Sequence, residues 1–251
     1  MKTLILTSLF LLTSCGSVMK GKPREGKIVY NYNDVAGKFG FVREHKLLKN
    51  KLISRTQITN SGKVLEKSIL VSELGSVKQS KKRLVTLRPK ASEFTVWFEG
   101  KKYFSKTKLN IKDKSLTVQY DSPETGVRSE SVPFPKSRFF CYYSQIPECL
   151  YHNTLLTQAY DSKAAFDFYF IWESYPFNQE QFSHLGKNLF SKATLKYEGI
   201  DKNLLRFIVE VEGQIILYHF SKSFDLVKIS WIAQGITVLP SGEDISSLDE
   251  E

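Results

Sequence analysis

No apolar run in this chain is long enough to cross a membrane as a helix. The run at the N-terminus, Leu4 to Leu12, is broken by Thr7 and Ser8. Nine residues rise only about 14 Å as a helix, against a hydrocarbon core of about 30 Å. Histidine is scarce. The four residues His45, His152, His184 and His219 form no H-E-x-x-H or H-x-H spacing. His219 sits in a strand-like pattern and reads as a packed or surface residue rather than a ligand. The chain also lacks a G-x-S-x-G elbow, a phosphate-binding G-x-x-x-x-G-K-[ST] loop and a G-x-G-x-x-G turn. Acidic residues such as Asp167, Glu173, Glu210 and Glu212 read as the wet side of alternating strands. The sequence therefore offers no catalytic residue, metal ligand or cofactor site, and it reads as a non-enzyme. A carboxylate pair assembled only by the fold, and with it a hydrolase, stays open as a weaker alternative.

What is present at the N-terminus is a processing signal. Lys2 supplies a short positive start, an apolar stretch follows, and small residues end it. This is the pattern of a secretory signal. The end of the run, Leu12-Thr13-Ser14-Cys15, resembles the lipobox of bacterial lipoproteins. The resemblance implies cleavage between Ser14 and Cys15, a diacylglyceryl group on the Cys15 thiol, and further acylation, as by palmitate, at the new amino group. Two or more acyl chains anchor a protein stably where one does not. Gly16 stands where an inner-membrane retention signal carries Asp. In a two-membrane organism that favours the periplasmic face of the outer membrane; with a single membrane, the anchor holds the protein outside it. The chain then divides into a signal peptide (1–14), a lipidated N-terminus and tether (15–25), a β domain (26–240) and an acidic tail (241–251).

Acidic charge is in short supply overall, and its distribution is uneven. Residues 16–120 carry 24 Lys and Arg against 8 Asp and Glu, whereas residues 121–251 carry 11 against 18. The basic half suggests a face that meets lipid phosphates or another envelope polyanion. The simpler reading places these residues on the solvent faces of strands, where they also blunt sheet edges. An exported, anchored protein rarely meets nucleic acid, so nucleic acid is excluded as a partner.

Cysteine is sparse. With Cys15 used as the anchor, Cys141 and Cys149 remain. An even pair in an oxidising compartment reads as a disulfide. On one continuous helix the two would lie about 12 Å apart, too far for a bridge. The chain must turn between them, and Pro147 is placed to make it do so. The alternative is two buried thiols. The spacing is not C-x-x-C, which argues against a redox-active pair.

The rest of the chain repeats a period of two. "KIVYNY", "EFTVWFEG", "SLTVQY", "AFDFYFIW" and "LLRFIVEV" alternate β-branched and aromatic residues with polar ones. Hairpin-like breaks fall at 59–63, 99–102, 110–115, 198–203 and 212–214. About ten or eleven strands with short connections are expected. Neither a βαβ alternation nor an internal repeat is visible. Residues 131–162 depart from the pattern. There Ser144 suits a turn cap, Pro147 suits the first position of a short helix, and the helix should run to about Leu156.

Aromatics are abundant, with 18 Phe, 12 Tyr and 3 Trp. "AFDFYFIW" carries apolar side chains on both faces, so either another element covers its second face or that face lines a cavity. The order "SESVPFPKSRFF", "FDFYFIW", "LLRFIVEV", "SFDLVKISW" is similar to certain bacterial periplasmic half-barrel domains of unknown function. More distantly it resembles the lipoprotein carrier and receptor proteins, over about residues 26–239. The expected fold is mainly β: a single antiparallel curved sheet or incomplete barrel with a short helical insertion around 137–160. The expected function is that of a membrane-anchored envelope lipoprotein binding a lipid or other apolar or amphiphilic ligand, or an envelope protein. A structural or assembly role without a small ligand is the alternative. Phe139, Phe140, Tyr142, Phe166, Phe168, Phe170 and Trp172 are the candidate lining residues.

Overall fold

The computed structural model describes residues 26–32, 39–79, 82–110, 112–137, 139–182, 186 and 188–240. The signal segment (1–14), the lipidated N-terminus and tether (15–25) with Cys15, and the acidic tail (241–251) lie outside the described residues. The chain first forms β1 (Gly26–Tyr32), β2 (Phe39–Leu48), β3 (Lys51–Asn60), β4 (Lys63–Gln79) and β5 (Lys82–Phe98). Then come β6 (Lys101–Asn110), β7 (Ser115–Ser122), β8 (Gly126–Pro133) and a short β9 (Phe140–Tyr142). After a helical insertion the second series follows: β10 (Phe166–Ile171), β11 (Phe190–Asp201), β12 (Leu204–Val211), β13 (Gln214–Phe220), β14 (Leu226–Trp231) and β15 (Ile236–Pro240).

The strands form two arms that meet where β1 pairs with β15, giving the order β8-β7-β6-β5-β4-β3-β2-β1-β15-β14-β13-β12-β11-β10-β9. Every neighbour is antiparallel except β9, which runs parallel to β10. The sheet curls into a half-barrel, as expected. Among the described residues there are fifteen strands, where ten or eleven are read from sequence. Tight turns set much of the register. Glu99 and Gly100 (φ 50° and 75°) and Glu212 and Gly213 (φ 47° and 75°) both carry the paired positive φ of a two-residue hairpin whose twist matches its strands.

The helical insertion begins as a single turn at Tyr143–Gln145 and continues as α1 (Ile146–His152) and α2 (Leu155–Ser162). Two local expectations change. Pro147 is the second residue of α1, not the first, and Ser144 makes no side-chain cap. The helix also breaks before Leu156. The Asn153 amide reaches across to β5, accepting from Leu87 N–H at 3.2 Å and donating to Leu87 O at 3.1 Å. Thr154 then takes a left-handed φ of 61° before α2 starts. The turn between the cysteines allows a Cys141–Cys149 disulfide, with Cα atoms 5.8 Å apart. A further helix, α3 (Phe177–Gln181), lies outside the expected insertion. Its only buried side chain, Phe177, fits among Phe94, Val96 and Tyr103. One apolar contact surrounded by Asn, Gln and Glu leaves no helical periodicity to read.

The core lies inside the curl. The alternating face of β12, Leu205, Phe207, Val209 and Val211, is buried with Phe168 and Phe170 of β10 and with Ile146, Leu150, Leu155 and Leu156 of the insertion. The opposite face of β10 and β9 turns Ile171 and Tyr142 toward Leu70, Leu116 and Val118 of the first arm.

Candidate functional site

The insertion is where both arms converge, and beside an apolar contact at Leu52 and Leu87 it meets the first arm through polar groups. Register explains why. On the concave face, Arg43, Thr56, Ser68, Phe94, Ser105 and Tyr120 stand opposite one another in one row across β2 to β7. The next row is His45, Ser54, Leu70, Ser92, Thr107 and Val118. On the other side of the first row lie Phe41, Ile58, Glu66, Val96 and Tyr103. These rows put hydroxyls and charges on the buried side of a sheet.

Those groups are tied together. Arg43 Nη2 donates to Glu148 Oε2 at 2.6 Å and to Ser144 O at 3.2 Å. His45 Nε2 lies 3.0 Å from Glu148 Oε1, and its Nδ1 lies 2.8 Å from Ser54 Oγ. Gln145 Nε2 donates to Ser54 Oγ at 2.6 Å and its carbonyl accepts from Ser72. Ser54 Oγ thus stands between the Gln145 amide and the His45 ring, and the Glu148 carboxyl between His45 and Arg43. A second chain runs from Ser92 to Thr107 at 2.6 Å and from Thr107 to the Tyr142 hydroxyl at 2.8 Å.

Glu173 fastens the start of the insertion. It is 1% exposed, not on the wet face that the alternation suggests. Its two oxygens accept from Tyr143 N–H at 3.0 Å and Ser144 N–H at 2.8 Å, amides left open where a helical segment begins. Ser105 donates to its main-chain carbonyl. Burial pushes the Glu173 carboxyl up, and these hydrogen bonds pull against that shift. Burial also works against ionising Glu148, but Arg43 and then His45 outweigh it and hold that carboxyl at about 2. Glu66, half-buried on the concave face, is pushed up to about 8 by burial and then by the charge of Glu173. No hydrogen bond from the described residues reaches its carboxyl. Arg43 Nε is likewise buried without a partner among the described residues. The cluster therefore combines a fixed ion pair with a carboxylic acid that keeps its proton near neutral pH. Among the described residues, no group of three or more His, Cys, Asp and Glu side chains could hold a metal ion.

The seven aromatic candidates divide between two sides. Phe168, Phe170 and Trp172 are buried against the insertion, where Tyr143 stacks on Trp172 at 5.0 Å. Phe139 and Phe166 flank that cluster, partly exposed. Phe140 points the other way, with Phe134 at 5.1 Å and Phe190 at 5.9 Å. Tyr142 shares that side and is fully buried. Cys15 lies outside the described residues. His219 is buried, with Nε2 3.2 Å from Asp201 Oδ2. Arg43, His45, Glu66 and Glu148 have no local sequence signal. Arg43 and His45 share one face of β2, the folding of α1 against it brings Glu148 to them across 105 residues of chain, and strand pairing sets Glu66 in the neighbouring row. Among the described residues, no helix is long and apolar enough to cross a membrane. Comparison with protein-family models, with curated proteins and with solved structures finds no match.

Proposed function

We propose that this chain is a bacterial envelope lipoprotein whose curved β domain is a non-catalytic binding module held at a membrane surface. In a two-membrane organism that surface is the periplasmic face of the outer membrane. The observation that carries the reading is Leu12-Thr13-Ser14-Cys15 closing a short apolar leader. Eleven steps separate Cys15 from Gly26, the first residue of β1. Fully extended, they reach roughly 36–40 Å, enough to hold a domain clear of the headgroups.

The geometry favours a protein partner over an enclosed apolar ligand. The chain's own insertion covers Phe168, Phe170 and Trp172. That insertion is fastened by the Cys141–Cys149 bond, by Arg43 to Glu148 and by Glu173. An acyl chain entering there must displace a segment pinned at three points. Among the described residues, the outer edge of the first arm has no strand paired to it.

Cys15→Ser separates the anchored reading from a plain secreted one. Wild-type protein should sediment with membranes and incorporate labelled palmitate, while the variant should do neither. Equal fractionation and labelling of both would overturn the anchor. Native mass spectrometry of the membrane-extracted protein should show no co-purifying lipid beyond the covalent anchor. A stoichiometric lipid would restore the ligand reading.

A further inference from the structure

The first arm ends at β8, and no described strand pairs with its outer edge. Its burial pattern is exposed at seven of eight positions, and Val127 is 81% exposed. Hydrogen-bond parity shows which groups face outward. Phe134 N–H donates to Lys114 O at 2.9 Å, continuing the register that pairs Val132 with Leu116, Glu130 with Val118 and Arg128 with Tyr120. Antiparallel strands alternate bonded and non-bonded positions. The even-numbered residues of β8 therefore bond to β7. The amides and carbonyls of Val127, Ser129 and Ser131 point away from the sheet.

Proteins guard such an edge with lysines, an internal proline, a bulge or a short strand. β9, the opposite edge, is only three residues long. In contrast, β8 pairs regularly over all eight residues and contains no lysine, its only charges being Arg128 and Glu130 of opposite sign. Its one proline, Pro133, is the last residue. An edge of this length, carrying one pair of opposite charges and covered by no described strand, is a template for another strand of complementary charge order.

We propose that two copies of this chain pair antiparallel along β8, about a twofold axis through Ser129. In that register Ser129 bonds to Ser129 of the second copy, and Val127 faces Ser131 in both directions. Arg128 then stands opposite Glu130 of the second copy, twice by symmetry. These are the non-hydrogen-bonded positions, where side chains come closest. The two nearest registers that use the same outward groups place Arg128 against Arg128 or Glu130 against Glu130. Like charges directly opposite are unfavourable, so the charge order "RSE" selects one register. The strand also borders an open groove of about 480 Å³ between Phe104, Asp121 and Val127, which the second copy would extend. The inference stands apart from the lipid anchor, since it needs only the folded domain. The result is an isologous dimer whose two first arms form one continuous sheet. An eight-residue edge is a small interface, so the pairing is weak and reversible in solution.

Cysteine scanning in the full Cys15→Ser chain tests the register. Ser129→Cys should give a covalent dimer when oxidised with glutathione disulfide. Val127→Cys and Ser131→Cys should each fail alone and cross-link when mixed. Ser129→Pro removes an amide that faces away from β7. It should leave the circular dichroism unchanged and abolish sedimentation as a dimer. Absence of the Ser129→Cys dimer, or equal self-cross-linking at 129 and 131, would overturn the proposal, as would a Ser129→Pro chain that still dimerises.

Discussion

Glu66 and Glu148 are carboxyl groups in one buried cluster with opposite titration behaviour. Glu66 binds its proton more tightly folded, at about 8, than unfolded, at 4.5. Its contribution therefore favours the fold fully below pH 4.5 and is lost as pH rises through about 8. Discounted for partial exposure, the loss is on the order of 3 kcal/mol. Glu66→Gln should be close to wild type at pH 5 and more stable than wild type at pH 9, by chemical denaturation. A stability difference that is flat in pH would contradict this. Glu148 is the reverse case: its carboxyl is held at about 2, so its contribution is present above 4.5 and lost as pH falls toward 2. Glu148→Gln leaves Arg43 buried without a counter-charge and should cost about 3–5 kcal/mol at pH 7. Little of that loss should remain near pH 2.

At the scale of elements, the insertion is the part most closely held. The Cys141–Cys149 bond closes a loop of nine residues, worth roughly 2–3 kcal/mol by loop entropy. Replacing both cysteines by serine should lower the melting temperature by roughly 5–10 °C in a domain of this size. No shift would mean that Glu173 and the Arg43–Glu148 pair hold the insertion alone. The same elements show what was legible in the sequence. β10 and β12 were readable because aromatic and branched side chains alternate on them without interruption. The disulfide was readable from the even pair left once Cys15 is set aside and from Pro147, which lets the chain turn between Cys141 and Cys149. β3 and β4 gave a weak signal because their buried face carries Ser54, Thr56, Glu66, Ser68 and Ser72, which reads as polar surface. β8 is exposed nearly throughout and has no face to alternate. Glu173 was misread for the same reason as β4: a buried polar group and a wet one look alike until their partners are known.

At the scale of the molecule, the domain is a half-barrel whose own insertion packs on Phe168, Phe170 and Trp172 in the concavity, and no described strand pairs with the outer edge of β8. In the proposed reading that packing weighs against an acyl chain enclosed at those residues. Function in this account comes from where the domain is held and what it pairs with. The central claim is the anchor, and intact mass spectrometry of protein extracted from the native membrane tests it most directly. The account predicts a chain beginning at Cys15, carrying a diacylglyceryl group on that residue and no free signal segment. A chain that retains Met1 at 28.8 kDa, or that begins elsewhere with Cys15 unmodified, would contradict it.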